Sequence, residues 1–250
     1  MLIGAATVAR DANQTMKLII LGDIHGNLPA LEVVLREARA EGADLVCHTG
    51  DLVGYAPFPT ETVALIREAR VPGVRGDVEE SLATGADRRD HGAASAEERR
   101  FQDEAFAWTT KRLDPLTRSY LVDLPFQRVL EDAGRRIVIV HATPVDSATP
   151  LWEERDDDFF REMGEVADAD ILIFGHTHRP YHRVVDGRHF INAGSVGFPG
   201  SEDRRTGYVM VRANGHIDVQ PRRFPYDTRR LLEASTARGF PAGAARYFQG

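Results

Sequence analysis

The chain has 250 residues, of which 42% are hydrophobic and 28% charged, and its formal net charge at pH 7 is -7. This length suits a single large domain that can bury a sizeable core. The single cysteine, Cys47, excludes a disulfide framework and a cysteine-based zinc site. No apolar run is long enough to span a membrane, and the acidic balance argues against general nucleic-acid binding.

Residues 1–15 precede the first strand signal, and we expect them to form a flexible N-terminal extension. They combine a short apolar stretch with Arg10 and Asp11 and lack the charged beginning of a secretory signal. Met16 opens the run MKLIILGD and is a candidate for the functional start. We therefore predict a cytoplasmic protein with one domain over residues 16–250.

Strand and helix signals alternate in the first third of the chain, which indicates an α/β sheet with crossover connections. Asn27 is a suitable cap for the first helix, and Thr60 for the second. The predicted order is a strand over Lys17–Leu21, a helix over Leu28–Ala40, a strand over Asp44–His48, a helix after Thr60 and a strand over Val71–Arg75.

The middle of the chain carries charged helical segments without a strand between them, which predicts a helical insertion over about residues 81–124. Strand signals then return and end in two hairpin turns, Asp186-Gly187 and Asn214-Gly215. The remaining predicted elements are helices over Ala96–Arg112 and Pro115–Leu124, strands over Arg136–His141 and Ile171–Phe174, a helix over Asp156–Val166 and a last helix capped by Asp227.

Five short segments carry acidic or histidine residues, four of them beside glycine, and each lies where a predicted strand ends. In an open α/β sheet, ligands bind at the carboxyl ends of the strands. The segments supply three carboxylates and four imidazoles, a donor set that suits Mn, Fe, Zn or Co. Seven donors exceed the need of one ion and match two ions that share a carboxylate. The segments are Gly22–Asn27, Gly50-Asp51, Gly76-Asp77, Val140-His141 and Gly175–His178.

In this order the motifs resemble the calcineurin-like metallophosphoesterases, and most closely the small bacterial phosphodiesterases of that superfamily. The similarity extends over residues 17–198 through GDIHGN, GDLVGY, VRGD, VIVHATP, FGHTHRP and INAGSVG. It implies a two-sheet α/β/β/α sandwich. It also implies hydrolysis of phosphate esters by in-line attack of a hydroxide that bridges two divalent ions. Mn is the expected metal, with Fe, Zn, Ni or Co as alternatives.

The resemblance also implies a role for each motif residue. Asp23, His25 and His178 would hold the first metal. His141 and His176 would hold the second metal, together with Asp77, and Asp51 would bridge both. Asp51, Asp77 and His141 would position the bridging hydroxide for catalysis. Candidates for contact with the substrate are Asn27, Tyr55, Arg179 and His182.

One motif departs from the family pattern. The family usually has Gly-Asn-His followed by an acid, whereas this chain has Gly76-Asp77-Val78-Glu79. Val78 cannot donate a proton to a leaving group, which favours substrates with good leaving groups. Asp77 adds a negative charge where asparagine is neutral, so we expect diesters to be preferred over monoesters.

Two alternatives stay open on the sequence. The first is a nucleotide phosphatase, for example one that acts on dinucleoside polyphosphates. The second is a non-catalytic protein scaffold, because the superfamily includes a retromer subunit that binds protein through its metal-site face. A scaffold should show eroded ligand positions, whereas all seven positions here keep metal-binding residue types. A small phosphate ester or nucleotide is therefore the expected partner, and the oligomeric state is left open.

Overall fold

The computed structural model describes residues 16–87, 89, 95–199, 203–214 and 216–248. The predicted extension over residues 1–15 and Gly215 of the second hairpin turn lie outside the described residues. Within this part, no helix is long and apolar enough to cross a membrane.

Nine strands form two sheets in the described part of the chain. The first sheet has the order β2-β1-β8-β9, and the second has the order β3-β4-β5-β7-β6. β1 and β2 are parallel, as are β4, β5 and β7. The strands are β1 Leu18–Leu21, β2 Leu45–His48, β3 Arg128–Asp132, β4 Arg135–Ile139, β5 Ile171–Phe174, β6 Tyr181–Val185, β7 Arg188–Asn192, β8 Thr206–Asn214 and β9 His216–Phe224.

Helices cover the outer face of each sheet, which confirms the predicted α/β/β/α sandwich. Ile20 and Ile173 meet between the sheets, while Ile19 faces α1 and α2, and Leu172 faces α6. The helices are α1 Leu28–Ala40, α2 Pro59–Glu68, α3 Asp77–Thr84, α4 Ala96–Thr110, α5 Pro115–Val122, α6 Asp157–Ala167, α7 Thr228–Ala237 and α8 Ala244–Phe248.

Most predicted elements are confirmed, and the first helix has the predicted bounds. The Asn27 side chain accepts the N–H of Ala30 and caps α1 as expected. Asp227 caps α7 in the same way through Arg230. Both hairpins form with the predicted strand pairing.

Three element predictions are wrong, and some elements have no counterpart in the prediction. The predicted third strand is a lone bridge between His48 and Gly73, because Pro72 beside it has no N–H to donate. The second helix begins at Pro59, whose fixed φ suits a first helical position, so Thr60 is not its cap. β3 and α3 were not predicted. The helix capped by Asp227 is also not the last, because α8 follows it.

Candidate metal centre

The predicted metal ligands lie close together at the strand ends of both sheets. Parallel neighbours end at the same edge, and the two sheets are joined there by a bridge between Asp23 and Ser195. Asp77 differs from the prediction, because it is the first residue of α3 and does not follow a strand. The others follow strands: Asp23 and His25 after β1, Asp51 after β2, His141 after β4, and His176 and His178 after β5.

Asp23, His25 and His178 form the first cluster, in which their ligand atoms lie within 4.8 Å of one another. The Nε2 of His178 is 3.0 Å from Asp23 Oδ2 and 3.0 Å from His25 Nε2. The other carboxylate oxygen of Asp23 accepts the hydroxyl hydrogen of Thr49 at 3.1 Å. This contact fixes the carboxylate while Oδ2 faces the His178 imidazole.

Asp77, His141 and His176 form the second cluster under the same criterion. His141 Nε2 is 3.1 Å from His176 Nδ1, and His176 Nδ1 is 3.7 Å from Asp77 Oδ2. The backbone N–H of His176 donates to Asp23 Oδ2 at 2.9 Å, which ties the second cluster to the first.

Asp51 lies between the two clusters. Its Oδ2 is 3.8 Å from His25 Nε2 and 3.7 Å from His141 Nε2. Its Oδ1 accepts the N–H of Val78 at 3.1 Å, which leaves Oδ2 facing both histidines. The structure therefore brings all seven predicted ligands together, with Asp51 in the shared position, and their roles as metal ligands stay predictions.

The histidine tautomers suit cation binding. The Nδ1 of His25 faces Val53 O at 3.4 Å, that of His141 faces Thr49 O at 2.8 Å, and His176 Nε2 faces Ala148 O at 3.1 Å. A carbonyl only accepts, so these nitrogens carry the hydrogen and the opposite nitrogens present lone pairs. In the second cluster two such lone pairs meet 3.1 Å apart, an arrangement that a cation stabilises.

The comparisons with known proteins agree with this geometry. A family model described as the calcineurin-like phosphoesterase superfamily domain matches residues 16–215. The chain belongs to this superfamily. It is accordingly a metal-dependent phosphoester hydrolase, as the sequence motifs predict.

Relatives of the phosphoesterase match along most of its length. An uncharacterized protein of Methanocaldococcus jannaschii is 25% identical over 237 residues, which cover 86% of this chain and 90% of the relative. The Salmonella typhimurium protein named serine/threonine-protein phosphatase 1 is 29% identical over 195 residues, covering 71% and 86%. The crystal structure of a metallophosphoesterase from Sphaerobacter thermophilus superposes with a TM-score of 0.76 at 25% identity, covering 94% and 98%.

Buried carboxylates and imidazoles shift each other's pKa values in this phosphoesterase. Burial raises the pKa of Asp51 well above its ordinary value, and Asp77 and Glu79 raise it further. Burial opposes ionisation of Asp23 as well, but the neighbouring His141 and His178 outweigh it and hold that pKa well below the usual range. Burial lowers the pKa of His141 and so keeps its imidazole neutral, the form that binds metals.

Glu79 is a functional residue that the sequence reasoning did not assign. Its buried carboxylate accepts the backbone N–H of Asp51 at 2.8 Å, of Leu52 at 2.9 Å and of Gly76 at 2.8 Å. These bonds hold the Asp51 loop against the start of α3. The sequence feature that could have indicated this role is the glutamate at the end of the Gly76-Asp77-Val78-Glu79 motif.

The four predicted substrate contacts lie in different settings. Asn27 is fully buried, and its amide donates to Gly197 O at 2.9 Å besides capping α1, so in this conformation it offers no surface to a substrate. Tyr55 is buried and stacks on His25 with ring centroids 4.2 Å apart. His182 pairs with His189, with 2.9 Å between Nε2 and Nδ1. Arg179 is exposed next to His178. All four roles stay predictions.

Proposed function

We propose that the protein is a dinuclear-metal phosphodiesterase. The observation that carries this proposal is the position of Asp51 Oδ2, which is 3.8 Å from a histidine of the first cluster and 3.7 Å from one of the second. A carboxylate between two sets of imidazoles supports two ions rather than one. Mn is the metal we expect, because mixed carboxylate and imidazole donors suit Mn, and also Fe, Zn, Ni or Co.

The chain would act on the phosphate by position and charge. Two divalent ions held by the two clusters and Asp51 would supply charge neutralisation for the phosphoryl oxygens and a hydroxide nucleophile near neutral pH. Thr49, Val53 and Ala148 fix the ligand histidines in the tautomer that such ions need. Asp77 adds negative charge, which disfavours a doubly charged monoester more than a diester.

Leaving-group protonation is the step that the chain supports least. The Val78 side chain is fully buried in the core of the first sheet, and its backbone N–H is used by Asp51. We therefore expect esters with good leaving groups to react fastest. The natural partner would be a small phosphate ester or nucleotide.

Cleavage of bis-p-nitrophenyl phosphate and p-nitrophenyl phosphate, measured side by side, tests the proposal. The protein is stripped of metal and then given Mn, Fe, Zn, Ni, Co or Mg. We expect metal-dependent cleavage that prefers the diester, is lost in Asp51→Asn and persists in Asp123→Asn, an exposed control. Two metal equivalents per chain should restore activity. Full activity with one equivalent would contradict the dinuclear centre.

A phosphatase is the second candidate, favoured by the printed name of the Salmonella relative. A preference for the monoester, or for nucleotides and dinucleoside polyphosphates, with every metal would support it over the phosphodiesterase. No cleavage at all by a protein that binds two ions would support a scaffold. The cytoplasmic location stays a prediction from the sequence.

A further inference from the structure

Arg179 stands at the rim of the metal centre and has a defined contact. It directly follows His178 of the first cluster, and its side chain is exposed. Its guanidinium carbon lies 5.2 Å from the centre of the Trp152 ring. Stacking on an aromatic face restricts an arginine side chain while its N–H donors stay available.

The segment that carries Trp152 is itself attached to the site. Ala148 O faces His176 Nε2 of the second cluster at 3.1 Å. Leu151 O accepts the hydroxyl hydrogen of Tyr181 at 2.6 Å. Trp152 follows directly in the chain, so the backbone that carries this ring is tied to the second cluster through Ala148 and to the start of β6 through Leu151.

Within the described part of the chain, Arg179 makes no ion pair. No carboxylate there lies within ion-pair distance of its guanidinium. Arg89, the arginine that leads into α4, differs because it contacts Asp87 and Asp103, each at 2.9 Å. Three aspartates would offset most of the charge of two divalent ions, so the ions favour little anionic charge beyond the scissile phosphate.

We propose that Arg179, supported by Trp152, forms a subsite for a second phosphate group of the substrate. The substrate class is then a phosphodiester that carries a further phosphate near the scissile one, since the planar guanidinium matches phosphate oxygens. This inference rests on the proposed phosphodiesterase function and names the substrate class of that same site.

A matched pair of substrates isolates the second phosphate. The p-nitrophenyl ester of thymidine 5′-phosphate is compared with the same ester bearing a second phosphate on its 3′ oxygen, using the Mn-loaded protein. The leaving group and the scissile diester are identical in the two. We expect wild type to have the higher kcat/KM for the bisphosphate, mainly through a lower KM, and salt to reduce this preference.

Arg179→Ala should reduce the ratio of the two kcat/KM values roughly tenfold, as expected for one charge-assisted contact. Arg179→Lys should keep part of the preference, and Trp152→Phe should keep more of it than Trp152→Ala. Arg155→Ala is the matched control. Arg155 is also exposed and lies 4.4 Å from the Phe159 ring in the same segment, so the ratio should not change.

The outcomes separate this inference from the proposed function. If wild type cleaves neither ester, the proposed phosphodiesterase function fails. If it cleaves both, and Arg179→Ala leaves the ratio at its wild-type value or changes it no more than Arg155→Ala does, the subsite is wrong and the phosphodiesterase stands.

Discussion

At the scale of single residues, Asp77 is the charge that distinguishes this centre from one with asparagine at the same position. Two divalent ions and the carboxylates of Asp23, Asp51 and Asp77 sum to +1, whereas asparagine at position 77 would give +2. One charge about 5 Å away changes the energy of a singly charged group by roughly 3 kcal/mol at an effective dielectric of 20. A doubly charged monoester feels about twice that change.

The first prediction concerns this charge. Asp77→Asn should raise the rate on p-nitrophenyl phosphate more than the rate on bis-p-nitrophenyl phosphate, since the monoester dianion gains more from the lost repulsion. Steady-state rates with both substrates at saturating Mn would measure this. Equal increases, or none, would show that the charge of Asp77 does not set the preference.

The second prediction concerns His48, which is fully buried on β2. Burial, together with the smaller effect of the nearby Arg128 charge, lowers its pKa from 6.5 to about 3. Below about pH 6.5, His48 therefore binds a proton in the unfolded chain but stays neutral in the folded chain. This contribution to stability is complete above that pH and is lost as the pH falls toward about 3. The loss should be about 2 kcal/mol between about pH 8 and pH 5.

Urea unfolding of the metal-free protein at the two pH values would measure the change. His48→Gln should remove the His48 share of the pH dependence whatever it does to overall stability. The exposed His216 is the control, and His216→Gln should keep the wild-type dependence. The same dependence in wild type and His48→Gln would contradict the assignment.

At the scale of elements, the junction between the Asp51 loop and α3 decides whether the two clusters share a ligand. Gly76 caps α3, and a Cβ there would lie 2.0 Å from Asp51 Oδ1 and 2.7 Å from Asp51 N. Glu79 accepts N–H groups from both sides of the same junction. Only a residue without a side chain allows this close approach.

The third prediction is that Gly76→Ala displaces Asp51 and lowers metal-dependent activity at least tenfold, with a stability loss of about 1–3 kcal/mol from overpacking. Diester hydrolysis and thermal unfolding would be measured together. Gly187→Ala is the control, because that turn is open and remote, so its activity should be kept. Wild-type activity in Gly76→Ala would contradict the close approach.

The elements that sequence patterns predicted best are those with a single buried face. In α1, Leu31, Val34, Leu35 and Ala38 share one face and are buried, and this spacing predicts the helix. β3 was missed because Arg128–Asp132 is a charged edge strand in which no residue is fully buried. α3 was missed because its apolar residues, Val78 and Leu82, are too few to show a helical period.

At the scale of the whole molecule, two sheets bring buried like charges together, and folding has to offset their repulsion. Asp23, Asp51, Asp77 and Glu79 are all buried, and three of them raise the pKa of the fourth, Asp51. Bound cations would relieve this repulsion in the folded state alone, and an ion present at 100 times its Kd stabilises by about 2.7 kcal/mol.

The fourth prediction is that chelation of the metal lowers the melting temperature and that Asp51→Asn narrows the difference between the metal-loaded and metal-free proteins. The metal-free variant should be at least as stable as metal-free wild type, because one buried charge is gone. Calorimetry with and without Mn would measure this. The control Asp123→Asn should keep the wild-type difference in melting temperature. If Asp51→Asn also keeps it, the position of Asp51 between the two clusters is not one that two ions share.

The sequence motifs predicted which residue types carry the chemistry and which superfamily the chain resembles, and this resemblance implied the sandwich fold. Those conclusions rest on local patterns, namely strand ends followed by Asp and His between glycines. Packing of distant segments decided the other positions: Asp51 between the two clusters, Glu79 joined to the Asp51 loop, and the Asn27 amide bonded to Gly197. Such contacts join residues that are far apart in the chain, so a helical or strand repeat in the sequence does not predict them. They form only when the two sheets pack together.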